Sequence, residues 1–345
     1  MSDVINIALV GCGIQAEAHF NAWKWEERGK IIAVVDKKEE RAKRAAKRWS
    51  IAEWFTDYHD ILRREDIDAV DLCLPHHLHA KVSCEAAEAG KHILVEKPEA
   101  NSLKEAECMI EAADKGGVKL MVAEHWRFVP IHLKAYELLN DGSLGEVFMA
   151  KSDHINLSSR VVKRPLEWAT KIETIGGGVL LGALCHPISL LRMYFGEVDS
   201  VLAAKTSLAH VEWFDSEIEL NAIAVLKFEN GVIADVTGSG TVRFCNHFQT
   251  WLFGDKASLY MDIVSGAFRL MRDDPLILDN KVGMPGLRQD VQGFIGEVQH
   301  FIDCILKDEE PITSGREEKK TLKVIFAAYK SMKERRLVKI DEIKA

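Results

Sequence analysis

Val4-Ile5-Asn6-Ile7-Ala8-Leu9-Val10-Gly11-Cys12-Gly13-Ile14-Gln15-Ala16 decides the fold. Its first seven residues are almost all apolar and stop at a glycine. That is the pattern of a strand buried on both faces, as in parallel sheets. The next six read G-x-G-x-x-A and open a stretch, 16–28, of helical composition. Strand, glycine turn and helix in that order are the setting in which this motif holds the pyrophosphate of a dinucleotide. Gly11 permits the tight turn, Gly13 lets the backbone approach the phosphates, and Ala16 lets helix and strand pack closely. The phosphate charge then meets free N–H groups at the helix N-terminus, where Ile14 and Gln15 lie.

Outward from this turn the same rhythm repeats. Strand character over 31–36, 68–74, 92–96 and 118–122 alternates with helical stretches at 38–49, 77–89 and 102–115. The alternation predicts a doubly wound parallel sheet. Right-handed crossovers put its βα turns on one edge, where ligands bind. Asp36 ends the second strand. An acid there accepts hydrogen bonds from the adenosine ribose and repels a 2′-phosphate, which favours NAD over NADP, although Lys37 and Lys38 soften the repulsion.

After residue 123 the rhythm changes. A helix near 130–141 precedes strand-like stretches at 146–155, 197–207, 218–228, 232–239, 247–253 and 257–262. A helix over about 178–194 interrupts them, and helices near 290–307 and 315–334 follow. Asn230-Gly231 supports a type I′ hairpin turn. The expected fold is therefore an α/β Rossmann domain over 1–123 that binds NAD(P). An α+β domain over 124–345, with a mainly antiparallel sheet, is expected to follow.

Composition narrows the function. The 345 residues are 47% hydrophobic and 28% charged, with a net charge of −8. The basic run at 37–48 is interrupted by Glu39 and Glu40 and reads as a solvated helix face, so no nucleic-acid partner is expected. No apolar run approaches the roughly 18 residues that cross a membrane, and Met1-Ser2-Asp3-Val4 lacks a basic leader. Cysteines stand at 12, 73, 84, 108, 185, 245 and 304. An odd number with no C-x-x-C pair excludes a complete disulfide framework within the chain and fits a reducing cytoplasm.

Further motifs carry a family resemblance. Pro75-His76-His77-Leu78-His79, then Ala86 to Ala89-Gly90-Lys91-His92, Val95-Glu96-Lys97-Pro98 and Trp126-Arg127-Phe128-Val129-Pro130 together resemble the glucose–fructose oxidoreductase/inositol dehydrogenase/rhizopine-catabolism (Gfo/Idh/MocA) family. So does Gly176-Gly177-Gly178-Val179-Leu180 with His186 downstream. The resemblance runs by motif from residue 4 to about 200, and beyond that only by the order of elements. It implies a Rossmann domain followed by an open sheet bearing the substrate face, NAD(P)-linked chemistry on sugars and cyclitols, and dimers or tetramers joined through that sheet.

The resemblance also implies site residues. Leu74, Pro75, His76, His79, Glu96, Lys97 and Arg127 line the cofactor, with Gly11, Gly13, Ile14, Gln15 and Asp36. Lys97 follows a buried strand at the ligand edge, where its ammonium can stabilise a developing alkoxide. His186 is the expected base, because an imidazole with an ordinary pKa of about 6.5 suits proton transfer near neutrality. The family often sets an aspartate four residues before this histidine; here that position is Gly182. His125 and His154 are candidates to compensate, and Trp168 to wall a sugar pocket. The His-His-x-His cluster at 76–79 lacks complementary ligands and zinc spacing, so no metal is expected. The expected function is an NAD-dependent oxidoreductase acting on a secondary hydroxyl of a sugar, cyclitol or glycoside. The alternatives are an NAD-retaining enzyme that cleaves glycosides by transient oxidation and elimination, and a non-catalytic dinucleotide or sugar sensor.

Overall fold

The computed structural model describes residues 4–156, 167–206, 208–273 and 282–344. The chain forms two compact units, Met1–His125 with Phe294–Lys319, and Trp126–Gly293 with Lys320–Ala345. The stretch 294–319, which a division at residue 123 assigns to the second domain, thus packs with the first unit.

In the first unit the strands are β1 (Ile5–Val10), β2 (Gly29–Val35), β3 (Glu53–Phe55), β4 (Ala69–Leu72), β5 (His92–Glu96) and β6 (Leu120–Ala123). They form one sheet in the order β3-β2-β1-β4-β5-β6, with every pair parallel. The connecting helices are α1 (Ile14–Trp23), α2 (Glu39–Trp49), α3 (Tyr58–Leu62), α4 (His76–Glu88) and α5 (Leu103–Gly116). The order reverses between β1 and β4, which opens the ligand crevice beyond their carboxyl ends. β3 and α3 were not expected from the sequence, since three and five residues are too short to show a period. α1 ends at Trp23 rather than near 28, because the next strand already starts at Gly29. Beyond Phe294 the chain returns to this unit. Val122 N–H donates to the Thr313 carbonyl at 2.8 Å and Met121 bridges Ser314, which closes the otherwise open edge at β6.

In the second unit α6 (Pro130–Asn140) precedes β7 (Val147–Ile155). The short helices α7 (Ile172–Ile175) and α8 (Val179–Gly182) lead to α9 (Cys185–Phe195). Then come β8 (Val198–Lys205), β9 (Asn221–Phe228), β10 (Ile233–Ser239), β11 (His247–Gly254), β12 (Ser258–Asp262), β13 (Ala267–Met271) and, near the C-terminus, β14 (Val338–Lys339). The sheet order is β13-β12-β11-β7-β10-β9-β8-β14. β7 and β10 run parallel and the other neighbours antiparallel. The last long helices are α10 (Gln289–Lys307) and α11 (Gly315–Glu334).

Period-2 burial explains the sheet's two faces. Along β9, Ala222, Ala224, Leu226 and Phe228 are buried, whereas Ile223 and Val225 are 50% and 43% exposed. Val225 registers with Leu202 of β8 and Ile233 of β10 with Met149 of β7. These residues too are exposed, so one face carries an apolar strip. The turn before β10 differs from expectation. Gly231 has φ +95° but Asn230 does not have a positive φ, so the turn is not type I′. Gly231 N–H donates to the Phe228 carbonyl and Phe228 N–H to the Val232 carbonyl, the pattern of a type I turn followed by a positive-φ glycine. The single helix expected over 178–194 is also broken, into α8 and α9, with a bend of 49° between Ile172–Gly182 and Cys185–Phe195. Among the described residues no single helix is long and apolar enough to cross a membrane.

Candidate functional site

The glycine turn fits a dinucleotide by its shape. Gly11 has φ +97°, and a Cβ there would lie 2.2 Å from the Cys73 carbonyl oxygen, so β1 and β4 approach at that point only because Gly11 has no side chain. Gly11 N–H donates to the Val35 carbonyl at 2.7 Å. Gly13 caps α1 with open space where its Cβ would be, which leaves room for phosphate oxygens at the helix N-terminus. Ile14 beside it is 90% exposed and Ala16 is fully buried. Asp36 already orders the turn: its carboxylate accepts from Cys12 N–H at 3.1 Å and Lys38 N–H at 2.8 Å. Each oxygen keeps a further lone pair for a ribose hydroxyl.

Behind this edge lies a buried charge cluster that the sequence reasoning missed. His19, on the inner face of α1, is fully buried. Its Nδ1 donates to Asp71 at 2.9 Å and its Nε2 to Glu96 at 3.1 Å, while Trp23 Nε1 donates to Asp71 at 2.8 Å. Burial alone disfavours a charged imidazole, but the charge of Asp71, with its hydrogen bond, overrides it and holds His19 protonated, well above its ordinary pKa. Burial would likewise raise Glu96; the hydrogen bond and charge of His19, with Lys97 and His125 adding, hold it down at about 2. So depressed a carboxylate is a weak base near neutrality. Glu297 of α10 is buried without a hydrogen-bond partner among the described residues. Burial pushes its carboxyl well above the usual range; His19 opposes this, and the negative Glu96, Asp71 and Glu124 reinforce it. His19, Asp71 and Cys73 stand close enough to hold an ion, but both nitrogens of His19 are engaged by carboxylates and Asp71 is engaged by His19 and Trp23.

The remaining first-unit candidates surround this cluster. His125 stacks on Phe294 at 4.1 Å, and Phe294 packs against His19 at 5.6 Å. Pro75 caps α4 and Leu74 immediately precedes it. His79 is fully buried, with its ring nitrogens 2.9 Å from the Pro98 carbonyl and 3.0 Å from the Leu74 carbonyl. Burial lowers its pKa, and the neutral ring has a single N–H, which it donates to one of these two carbonyls. His76 packs beside it at 5.8 Å. Lys97 is half-buried at the carboxyl end of β5.

In the second unit two of the three consecutive glycines, Gly177 and Gly178, are required by close packing. A Cβ on Gly178 would lie 1.8 Å from the Glu219 carbonyl oxygen, and one on Gly177 2.2 Å from the Tyr329 hydroxyl. The buried Glu219 carboxylate accepts from Gly178 N–H at 3.1 Å, Leu180 N–H at 2.9 Å and the Tyr329 hydroxyl at 3.0 Å. It therefore caps α8 and fixes the loop that leads to His186. Burial dominates its pKa and raises it, against those hydrogen bonds.

His186, buried in the first turn of α9, lies parallel to the Trp126 ring at 5.2 Å and to His154 at 6.2 Å. His154 in turn packs on Phe248 at 4.0 Å. His132, pushed down to about 4 by burial, props the Trp126 carbonyl from Nδ1 at 2.8 Å. The structure thus brings His154 to His186, while His125 lies in the first unit with Glu96. Arg127 is buried with Nε donating to Ser189 of α9 at 2.7 Å. Trp168 packs against a small apolar cluster of Ile175, Phe214 and Ile218. At Gly182 nothing lies within 4 Å of where a Cβ would be. The break between α8 and α9 means that Gly182 and His186 do not share one continuous helical face.

Comparison with known proteins accords with this geometry. Residues 5–124 match the model of an oxidoreductase family with an NAD-binding Rossmann fold, and residues 132–260 match the GFO/IDH/MocA C-terminal domain. The chain is 28% identical to D-apiose dehydrogenase of Paraburkholderia graminis, over 98% of this chain and 90% of that protein. It is 25% identical to myo-inositol 2-dehydrogenase of Thermotoga maritima, over 98% and 99%. A solved levoglucosan dehydrogenase in complex with NADH and levoglucosan superposes with a TM-score of 0.87, covering 97% of this chain and 99% of that one; at 22% identity this speaks for the fold. The glycine turn with Asp36 at its side and the two matched domains in sequence lead to one assignment: the chain belongs to the Gfo/Idh/MocA family of NAD-binding oxidoreductases.

Proposed function

We propose that this protein is a dehydrogenase that moves hydride between a secondary hydroxyl of a sugar, cyclitol or glycoside and NAD, with Lys97 and His186 handling the substrate oxygen and its proton. The observation that carries this reading is a buried imidazole, His186, held parallel to Trp126 in the domain that follows an NAD-binding fold. The names of the relatives, dehydrogenases of D-apiose and myo-inositol, support the substrate class. NAD, when bound, supplies the hydride acceptor at its nicotinamide ring.

The chain's own residues do the rest. The turn 11–16 offers N–H groups to the pyrophosphate, and Asp36 offers carboxylate oxygens to the adenosine ribose. The Lys97 ammonium donates to the substrate oxygen and stabilises the alkoxide that develops as hydride leaves. His186 accepts the hydroxyl proton. His76, Leu74, Pro75 and Arg127 shape the cofactor side, while His125, His154 and Trp168 serve the substrate. The apolar strip of Met149, Leu202, Ile223, Val225 and Ile233 supports assembly into a dimer or tetramer through the open sheet. A reducing cytoplasm is the proposed setting; none of the seven cysteines is in a disulfide.

The test is purified protein with NAD across a panel of pentoses, inositols, anhydrosugars and glycosides, and with NADH across the matching ketones, read by NADH absorbance. NADH formation with at least one polyol is expected. No change in either direction with any compound sinks the reading. Glycoside cleavage without net NADH formation replaces it with elimination after transient oxidation.

A further inference from the structure

Two cysteines outside the site face each other across a helix pair. Cys84 lies in α4 and Cys108 in α5, and their Sγ atoms are 3.4 Å apart. Cys108 is exposed and Cys84 half-buried. From this geometry we propose that Cys84 and Cys108 form an oxidisable dithiol, a modification site that a peroxide converts to a disulfide within the chain.

The sulfurs stand about 1.4 Å beyond the ~2.05 Å length of a disulfide, a gap that rotation about χ1 of either side chain covers. Exposure decides the order of events. The accessible Cys108 sulfur attacks one peroxide oxygen as its thiolate. The O–O bond breaks, hydroxide leaves and takes up the thiol's proton as water, and Cys108 becomes a sulfenic acid. The Cys84 sulfur then attacks the Cys108 sulfur. The S–S bond forms, the S–O bond breaks, and the hydroxyl leaves with the Cys84 proton as a second water. Two thiols and one peroxide give one disulfide and two waters; both electrons end on the peroxide oxygens.

The surroundings suit these unequal roles. Burial pushes the Cys84 thiol up to about 12, and the Cys108 hydrogen bond and the nearby Glu88 and Glu85 add to it. Cys84 therefore stays protonated and does not react first with solvent oxidants. Elsewhere Cys12 faces the Val35 carbonyl, Cys73 faces Asp71, Cys245 lies by His247 and Cys304 by His300. The cross-link joins helices that begin at His76 and Leu103, just past the loops carrying Pro75 and Lys97. Under reducing conditions thiols return it to the dithiol, as for other transient cytosolic disulfides.

Trypsin provides a clean readout. Cleavage after Lys81, Lys91, Lys104 and Lys115 puts Cys84 in peptide 82–91 and Cys108 in peptide 105–115. The full-length protein is treated with hydrogen peroxide and mapped without reductant. The expected product is a loss of about 2 Da and one linked pair of these two peptides, both reversed by dithiothreitol. In Cys84→Ser the linked pair is absent and dimedone traps a Cys108 sulfenic acid. In Cys108→Ser, Cys84 stays reduced. Since serine is close in size to cysteine and neither site is in the core, both variants remain folded, which the retained thermal unfolding midpoint checks. The proposal is overturned if the wild-type protein gives no 82–91/105–115 link. It is also overturned if Cys108 reaches sulfinic acid as fast in the wild type as in Cys84→Ser.

Discussion

Replacing His19 by glutamine tests the buried charge cluster most directly. The substitution keeps a polar side chain on α1 but removes the cation between Asp71 and Glu96. Its size follows from Glu96, whose carboxyl is held at about 2 against an ordinary 4.5. That displacement corresponds to about 3 kcal/mol, in line with the roughly 3–5 kcal/mol lost when one partner of a buried ion pair is removed. The sign with pH is definite. Because His19 is raised in the fold, its contribution is complete below its unfolded pKa of about 6.5 and fades as pH climbs through the higher folded value. Because Glu96 is lowered, its contribution is complete above 4.5 and fades as pH falls toward 2.

In the glutamine variant burial acts on Glu96 unopposed by a neighbouring imidazolium, so protonation relieves the strain. The His19 contribution sets the sign of the gap between variant and wild type: it is complete below about pH 6.5 and shrinks as pH climbs through the raised folded value. Urea unfolding followed by tryptophan fluorescence, at about pH 6 and again at about pH 9, measures both. The double variant His19→Gln/Glu96→Gln should recover part of the loss by leaving a neutral pair. A cost below about 1 kcal/mol at about pH 6, or a gap that does not narrow toward about pH 9, refutes a charged His19.

Other expectations follow from the same geometry. Asp36→Ser removes the proposed ribose acceptor and should weaken NAD by about 10- to 100-fold while narrowing the preference over NADP; the ratio of the two KM values is the measurement, because the bonds to Cys12 and Lys38 affect both cofactors alike. Gly178→Ala drives a Cβ into the Glu219 backbone and should cost about 1–3 kcal/mol or more, whereas Gly182→Ala, facing open space, should stay within about 0.5 kcal/mol; paired thermal melts separate them. Gly182→Asp should likewise fold, and a shifted acid limb in its pH–rate profile relative to wild type would place a carboxylate in contact with the proton path. Val225→Lys puts a charge into the apolar strip and should shift the protein toward monomer in light scattering.

Much of the first unit was legible in the chain because its signals are local. A buried strand, a glycine turn and a helix occupy successive residues, and each strand–helix repeat is complete within a short window. β3 and β14 escaped because strands of three and two residues carry no period, and the hairpin at Asn230-Gly231 was assigned the wrong turn. The helix expected over 178–194 failed for a tertiary reason. Glu219, from β9's approach, caps α8 and imposes a separate start on it, and nothing within 178–194 announces that partner.

The sequence by itself determined the dinucleotide fold and the family, since each rests on residue types at short spacing. His19 in the inner stripe of α1 and Asp71 inside a buried strand are polar residues in apolar surroundings, and nothing near them in the chain names their partners. Only the tertiary structure joined them to Glu96 and Glu297, because a buried charge is decided by partners that arrive from distant parts of the chain. The same holds for the rings around His186, the closed edge at β6 and the facing thiols of Cys84 and Cys108.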